Sequence, residues 1–173
     1  MLRAASEAPA SFCIGVDPVA AAMAKSSSQA LRARNGNAIF ALGAVESLPE
    51  ELTGLASIIT VNLPWGSLLR AVAAPDVELL RNIAAMCRPA ARLQVVYSAS
   101  PRDATELARL GLSDPDPCRR VMEMAAAYDD AGFQLDEVRA IDATELRALG
   151  TTWAKRLWRD PERRAWRLTA RKD

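Results

Sequence analysis

Short apolar runs with the character of buried strands alternate with helix-forming segments along the chain. The runs predict strands at residues 12–16, 38–42, 56–61, 92–97, 133–141 and 165–170. After a first helical segment at 1–8, the sequence predicts helices at residues 19–34, 67–73, 75–87, 103–110, 118–131 and 144–157. This alternation, with two strands close together at the end, indicates an open, mostly parallel α/β sheet with an antiparallel edge.

Size and composition favour one domain. The 173 residues are half apolar and 25% charged, which suits a single compact domain over residues 1–173. No apolar run approaches the roughly 20 residues needed to cross a bilayer, and the first residues lack the apolar core of a signal peptide. We therefore expect a cytoplasmic, monomeric protein that does not contact a membrane.

The chain contains no histidine, which removes the commonest general base and the commonest metal ligand. The three cysteines, Cys13, Cys87 and Cys118, are far apart and odd in number, so neither a disulfide framework nor a metal site is expected. We interpret them as small buried hydrophobic residues. Any chemistry must then depend on positioning, carboxylates, aromatic rings or a cofactor.

Positive charge is concentrated near the end of the sequence. Residues 147–173 carry nine bases and three acids, although the net charge of the whole chain is +1. Such a segment is either a solvated helix face or a surface for a phosphate backbone. Because Trp153 and Trp158 lie among these charges, we favour nucleic acid.

The stretch Asn-Leu-Pro-Trp-Gly at 62–66 follows the third predicted strand, where a parallel strand delivers a binding loop to its carboxyl edge. Trp65 is either a stacking surface or a core tryptophan that covers the end of the strand. A backbone carbonyl of the Leu63–Pro64 step, with or without the Asn62 side chain, can accept a hydrogen bond from an exocyclic amine. The stretch is similar to the Asn-Pro-Pro-aromatic motif of amino methyltransferases, with Leu63 at the first proline position.

Two carboxylates follow the first two predicted strands. Asp17 can accept hydrogen bonds from both hydroxyls of a ribose, or it can be the N-cap of a helix that has Pro18 at its first position. Glu46 can accept a hydrogen bond from an adenine amino group, with Ala44 and Val45 offering small apolar contacts to the ring. The alternative for Glu46 is a surface residue near a turn.

The segment 151–157 combines an aromatic residue with basic residues. Trp153, Lys155 and Arg156 would supply a stacking platform and phosphate contacts from one helix. Trp153 and Leu157 are also spaced as the buried face of an amphipathic helix. Spacing alone does not separate these interpretations.

Four motifs occur in the order found in a known family. The chain resembles the 16S ribosomal RNA adenine-N1 methyltransferases that confer aminoglycoside resistance, on the strength of Ile-Gly-Val-Asp-Pro at 14–18, Glu-Ser-Leu-Pro at 46–49, Leu-Pro-Trp-Gly-Ser-Leu-Leu at 63–69 and Trp-Ala-Lys-Arg-Leu at 153–157. The resemblance implies a class I S-adenosylmethionine-dependent methyltransferase fold, which is Rossmann-like. It further implies methylation of adenine 1408 in the decoding site of the small ribosomal subunit.

The resemblance also implies roles for individual residues. Trp65 and Trp153 would hold the flipped adenine between them as the catalytic pair. Asp17 would bind the cofactor ribose, and the remaining cofactor contacts would come from Ala44, Val45, Glu46, Asn62, Ser67 and Thr151. RNA phosphates would be bound by Lys155, Arg156, Arg159, Arg163 and Arg164.

Relative to the family, the chain lacks the first strand and the glycine-rich acidic turn that follows it. Residues 1–6 match the helix after that turn. We therefore expect an N-terminally truncated sheet, produced by a misassigned start codon or by a true truncation. Part of the cofactor site would be missing from such a chain.

Adenine N1 carries a lone pair and no proton, so its methylation needs no general base, in agreement with a chain that lacks histidine. Alignment and stacking would then provide the catalysis. Two alternatives remain at this point. One is an amino methyltransferase acting on an exocyclic nitrogen or a protein amide, and the other is a non-catalytic RNA-binding relative.

Overall fold

The computed structural model describes residues 1–34, 36–157 and 159–173. It divides into two compact units, Met1–Glu51 and Leu52–Asp173, which are described separately below. A single domain over the whole chain stays a prediction.

The first unit is built around a parallel strand pair. Its elements are α1 (Leu2–Glu7), β1 (Cys13–Asp17), α2 (Ala20–Arg32) and β2 (Ala38–Leu42). The two strands pair in parallel from Cys13 opposite Ala38 to Asp17 opposite Leu42, with α2 as the connection. Both strands therefore end at the same edge, as expected for a strand–helix–strand unit. The predicted end of α2 at 35–37 includes Asn35, which lies outside the described residues.

The second unit contains a four-stranded sheet. Its strands are β3 (Ala56–Asn62), β4 (Cys87–Ala99), β5 (Phe133–Ile141) and β6 (Arg164–Lys172), in the spatial order β3-β4-β6-β5. β3 and β4 are parallel, and β6 is antiparallel to both β4 and β5. The predicted α/β class, with parallel pairs and antiparallel pairing at one end of the sheet, is confirmed.

Six α-helices accompany this sheet in the described part of the second unit: α3 (Gly66–Ala73), α4 (Val77–Met86), α5 (Ala104–Arg109), α6 (Val121–Asp130), α7 (Ala143–Ala148) and α8 (Thr152–Leu157). Asp76 caps α4 by accepting the N–H of Leu79 at 3.2 Å. Gly132, with φ +82°, follows α6. Both boundary signals, Asp76 and Gly132, were recognisable in the sequence.

Three predicted elements have boundaries that differ from the structure by more than two residues. The helix expected at 144–157 is two helices, because Gly150 adopts φ +68° and Thr151 begins a new cap. The strand expected at 92–97 is the longer β4, which starts directly after α4. The helix expected at 118–131 begins with a short 3₁₀ turn at Pro117–Arg119 before α6.

The core of the second unit lies where β4 and β6 pack against the helices. Tyr97 and Trp166 are buried with ring centroids 5.3 Å apart. The hydroxyl of Tyr97 donates to the carbonyl of Pro115 at 2.7 Å, which satisfies the polar end of the buried ring. In the same way Tyr128, which is fully buried, donates to the carbonyl of Val72 at 2.8 Å at the end of α3.

The prediction of three buried cysteines holds for one of them. Cys87 is buried, and burial raises the pKa of its thiol to about 11. Cys13 is half-buried, and Cys118 is exposed in the 3₁₀ turn before α6. Position in a polar turn, rather than residue type, decides the exposure of Cys118.

Among the described residues, no helix combines the length and the apolar character needed to span a membrane.

Candidate functional site

In the first unit, Asp17 lies at the carboxyl end of β1. Its Oδ1 accepts the N–H of Val19 at 2.8 Å, and α2 begins at Ala20 with Val19 as its N-cap. The interpretation of Asp17 as an N-cap with Pro18 in the helix is therefore wrong, since the contact is a local turn that precedes α2. A carboxylate has more acceptor sites than this one bond uses, so Asp17 retains capacity for further donors.

The loop after β2 lies at the same edge as Asp17. The N–H of Gly43 donates to the carbonyl of Asp17 at 3.2 Å. A Cβ on Gly43 would approach a side-chain carbon of Pro49 to 2.9 Å, so the loop packs closely here and glycine is required for steric reasons. The parallel pairing thus brings together Asp17 and the loop that carries the predicted adenine contacts.

A tight turn shapes that loop. Ala44 and Ser47 bond to each other's backbone, with the Ser47 N–H donating to the Ala44 carbonyl at 2.9 Å. Val45 is buried and Glu46 is exposed at the corner of the turn. The turn therefore has an apolar base at Val45, with the carboxylate of Glu46 beside it.

In the second unit, the loop after β3 has an unusual backbone. Leu63 has φ +55°, a left-handed conformation that is unfavourable for a branched side chain. Its N–H donates to the carbonyl of Val96 on β4 at 2.7 Å, and its side chain packs against the core. Pro64 is buried beside it, whereas Asn62 is exposed at the end of the strand. The loop is thus fixed at Leu63 and Pro64.

Trp65 is not a core residue. Its side chain is 49% exposed, whereas Trp166 in the sheet is 3% exposed. The interpretation of Trp65 as a core tryptophan is therefore wrong. Ser67 follows in the first turn of α3 and is half-buried. Asn62, Trp65 and Ser67 are brought together by this short strand–loop–helix connection.

Helix α8 also presents its tryptophan to solvent. Trp153 is 59% exposed, whereas Ala154 is fully buried and Leu157 packs against the core. The amphipathic alternative is therefore correct for Leu157 and wrong for Trp153. Thr151 caps the helix, because its Oγ1 accepts the N–H of Ala154 at 3.0 Å. This capping role of Thr151 was not foreseen, although a threonine after a glycine is a recognisable start signal.

The predicted phosphate contacts fall into two groups. Lys155, Arg156, Arg159 and Arg164 are exposed, and none forms an ion pair within the described part of the chain. Exposed cations without an internal partner suit contact with a polyanion. Trp158, which the sequence places among them, lies outside the described residues.

Arg163 does not fit the predicted phosphate contact. Its side chain is 10% exposed, and it forms an ion pair with Asp103 at 3.0 Å. Its guanidinium also lies within hydrogen-bond distance of the hydroxyls of Ser98 and Ser100, at 3.4 and 3.3 Å. We therefore assign Arg163 to the interior, where it fixes the loop after β4.

Asp103 is a residue whose importance sequence reasoning missed. Its carboxylate accepts the N–H of Ser100 at 3.0 Å as well as binding Arg163. The local half of this arrangement has a sequence signal, since Ser100 and Asp103 have the spacing of a capping box. The contact with Arg163 joins residues 60 positions apart and has no local signal.

A second ionic cluster holds α7 on the sheet. Glu145 binds Arg139 through two hydrogen bonds of 2.9 and 2.7 Å, and Arg167 lies 3.6 Å away. Hydrogen bonding from Arg139 lowers the pKa of Glu145 and holds its carboxyl group in the charged form. Asp142 caps the same helix by accepting the Glu145 N–H at 2.8 Å. This cluster stabilises the segment that leads to α8.

Comparison with characterised proteins finds methyltransferases of 16S rRNA among the relatives. A protein of Escherichia coli described as 16S rRNA (adenine(1408)-N(1))-methyltransferase is 33% identical over 153 residues, which are 84% of this chain and 69% of the relative. The crystal structure of the aminoglycoside resistance methyltransferase NpmB1 is 38% identical, with a TM-score of 0.75 over 98% of this chain and 80% of that one.

A further structure includes the cosubstrate. It is a tryptophan-to-alanine variant of the 16S rRNA (adenine(1408)-N(1))-methyltransferase from Catenulisporales acidiphilia with SAM, 26% identical, with a TM-score of 0.82 over 98% of this chain and 79% of that one. The family model described as NpmA: 16S rRNA (adenine(1408)-N(1))-methyltransferase matches residues 1–172. Because this match includes both compact units, the chain belongs to the 16S rRNA (adenine(1408)-N(1))-methyltransferase family.

Proposed function

We propose that this chain transfers a methyl group from S-adenosylmethionine to N1 of adenine 1408 in 16S rRNA and so confers aminoglycoside resistance. Membership of the family supports the reaction. The observation that carries the proposal is the exposure of Trp65 and Trp153, at 49% and 59%, on segments that are otherwise anchored in the core. Large aromatic side chains held in solvent by a rigid scaffold are suited to stacking on a base.

S-adenosylmethionine, when bound, supplies an electrophilic methyl group on a positively charged sulfur. The lone pair of adenine N1 forms the new carbon–nitrogen bond while the carbon–sulfur bond breaks. No proton leaves N1 in this step, so the residues need to bind and align the reactants rather than remove a proton. A chain without histidine is compatible with that requirement.

The first unit has groups that fit a nucleoside. Asp17 keeps acceptor capacity at the end of β1 for ribose hydroxyls, which are hydrogen-bond donors. The turn with Val45 and Glu46 lies at the same edge and offers an apolar contact and a carboxylate to adenine. We assign these residues, with Ala44, to the cofactor nucleoside. We further assign Asn62, Ser67 and Thr151 of the second unit to cofactor contacts.

The second unit has groups that fit a base and a phosphate backbone. Trp65 and Trp153 would stack on the extruded adenine, offsetting the few kcal/mol that unstacking a base costs, since each aromatic contact contributes about 1–3 kcal/mol. Lys155, Arg156, Arg159 and Arg164 would bind phosphates. The partner is 16S rRNA within the small ribosomal subunit, and we propose that the protein acts as a monomer in the cytoplasm.

Methylation of purified small ribosomal subunits tests the proposal. With labelled S-adenosylmethionine, we expect label in 16S rRNA and a reverse-transcription stop at adenine 1408, because an N1 methyl group blocks base pairing. Label without a stop would instead indicate an exocyclic amine as the acceptor. If folded protein binds rRNA but calorimetry detects no binding of S-adenosylmethionine, the chain is a non-catalytic RNA-binding relative.

A further inference from the structure

The two segments that carry the exposed tryptophans meet in one apolar cluster. Leu63, two residues before Trp65, and Leu157, four residues after Trp153, both pack against it. Leu149, at the end of α7, is the third leucine. We call these three residues the leucine cluster, because all three pack against the same four buried residues. These four belong to β4, β5, α7 and β6 and are Val96, Ile141, Leu146 and Ala165.

Leu63 is held in the cluster against a conformational preference. Its φ of +55° is disfavoured for leucine, and the conformation persists where surrounding contacts determine it. Those contacts are the packing of its side chain and the 2.7 Å hydrogen bond from its N–H to the Val96 carbonyl. Because Trp65 follows two residues later, the direction of its side chain depends on this anchor.

Helix α8 depends on the cluster in a similar way. It has six residues, too few for a helix to be stable without tertiary packing. Leu157 packs against the cluster and Ala154 is fully buried, and Leu149 packs just before the break at Gly150. The orientation of Trp153 is therefore set by the same apolar cluster that anchors Leu63.

We infer that the leucine cluster is a positioning device that sets the tryptophan of the β3–α3 loop and the tryptophan of α8 in a fixed geometry relative to each other. Leu63, Leu149 and Leu157 act through Trp65 and Trp153 and do not themselves touch a substrate. The mechanical part of this inference rests on packing alone. Its consequence for methyl transfer rests on the proposed function.

Fluorine NMR of protein labelled with 5-fluorotryptophan tests the mechanical part without substrate. Each resonance is assigned by the corresponding Trp→Phe variant. We expect Leu63→Ala to shift or broaden the Trp153 resonance, although the substitution lies in a different segment. The control is Leu112→Ala, a fully buried leucine outside the cluster, which should leave that resonance unchanged. An unaltered Trp153 resonance in folded Leu63→Ala protein would overturn the inference.

Kinetics test the consequence. For Leu63→Ala and Leu157→Ala we expect kcat to fall at least tenfold, while affinity for the small ribosomal subunit changes less than threefold. Leu63→Met should restore most of kcat, because methionine refills the volume. Equal losses in Leu112→Ala would show a general stability effect and overturn the positioning role. If the unsubstituted protein does not methylate at all, the proposed function fails, whereas the NMR result still decides the mechanical link.

Discussion

Arg163 and Asp103 form an ion pair of 3.0 Å whose side chains are 10% and 19% exposed, next to an arginine that faces solvent at position 164. Two adjacent arginines therefore have opposite environments. One fixes the loop after β4 to the start of β6, and the other is available to a partner. Since both carry the same charge, a comparison of their alanine variants separates a structural cation from an RNA-binding one.

We expect Arg163→Ala to lower the free energy of unfolding by about 2–4 kcal/mol, because it leaves the largely buried carboxyl group of Asp103 without its ion-pair partner. Arg164→Ala should change that free energy by less than about 0.5 kcal/mol, as is usual for an exposed side chain. Urea denaturation measures both. A stable Arg163→Ala protein would show that Arg163 is not a structural residue.

Affinity for rRNA should rank the two variants in the opposite order to stability, with the larger loss in Arg164→Ala. Arg164→Ala should weaken binding and reduce the slope of log affinity against log salt concentration by about 1, because one phosphate contact is lost. Titrations at several salt concentrations measure the slope. An unchanged slope in Arg164→Ala would remove this residue from the proposed RNA surface.

Replacement of the exposed tryptophans should affect activity more than stability. Trp65→Ala and Trp153→Ala should each reduce methylation about 10- to 100-fold, the loss expected for a stacking contact of about 1–3 kcal/mol. The matched control is Trp166→Ala, which removes a buried ring and should cost about 3–5 kcal/mol of stability. Unimpaired methylation by both exposed-site variants would contradict the stacking roles.

Asp17→Asn should weaken binding of S-adenosylmethionine by about tenfold, since a neutral amide forms weaker hydrogen bonds with hydroxyl donors than a carboxylate. The amide oxygen can still accept the Val19 N–H, so the turn before α2 is retained. Calorimetry measures the affinity. The control is Glu7→Gln, which neutralises an exposed carboxylate on α1 and should leave the affinity unchanged.

Low pH should reduce the contribution that Glu145, with Arg139 and Arg167, makes to the free energy of unfolding. The pKa of Glu145 is lowered by its hydrogen bond with Arg139, so its stabilising effect is complete above the unfolded value of about 4.3 and is lost as pH falls through the lower folded value. We expect the stability difference between the unsubstituted protein and Glu145→Gln to be constant at neutral pH and to shrink below about pH 4. The exposed Glu162, which has no ion pair among the described residues, provides the control Glu162→Gln.

Patterns of neighbouring residues predicted the strands and many helix ends. The strands follow apolar runs, and the helix ends follow residues such as Asp76 and Gly132. The break at Gly150 was missed since the apolar spacing continues across it, although the following threonine was a usable signal. The end of β1 and the loop after β2 were correctly expected at one edge, since parallel pairing requires it.

The environment of each side chain was harder to predict. The sequence around a tryptophan at a strand end is the same whether its side chain is buried or exposed. The same holds for an arginine in a basic segment. Trp65 is exposed because Leu63 and Pro64 occupy the interior at that loop. Arg163 is buried because it forms an ion pair with Asp103, which lies in a turn distant in the sequence. Both outcomes depend on contacts with distant residues, of Leu63 with Val96 and of Arg163 with Asp103, which spacing does not reveal.

The position of β6 has a consequence for the order in which the protein assembles. This strand comes after both β4 and β5 in the chain, and it pairs with β4 on one side and β5 on the other. Until the segment Arg164–Lys172 has emerged from the ribosome, β4 and β5 have no common neighbour, and their facing edges are unpaired. During synthesis the nascent second unit is therefore exposed to strand-mediated aggregation, and a premature stop codon before position 164 would leave that hazard permanent.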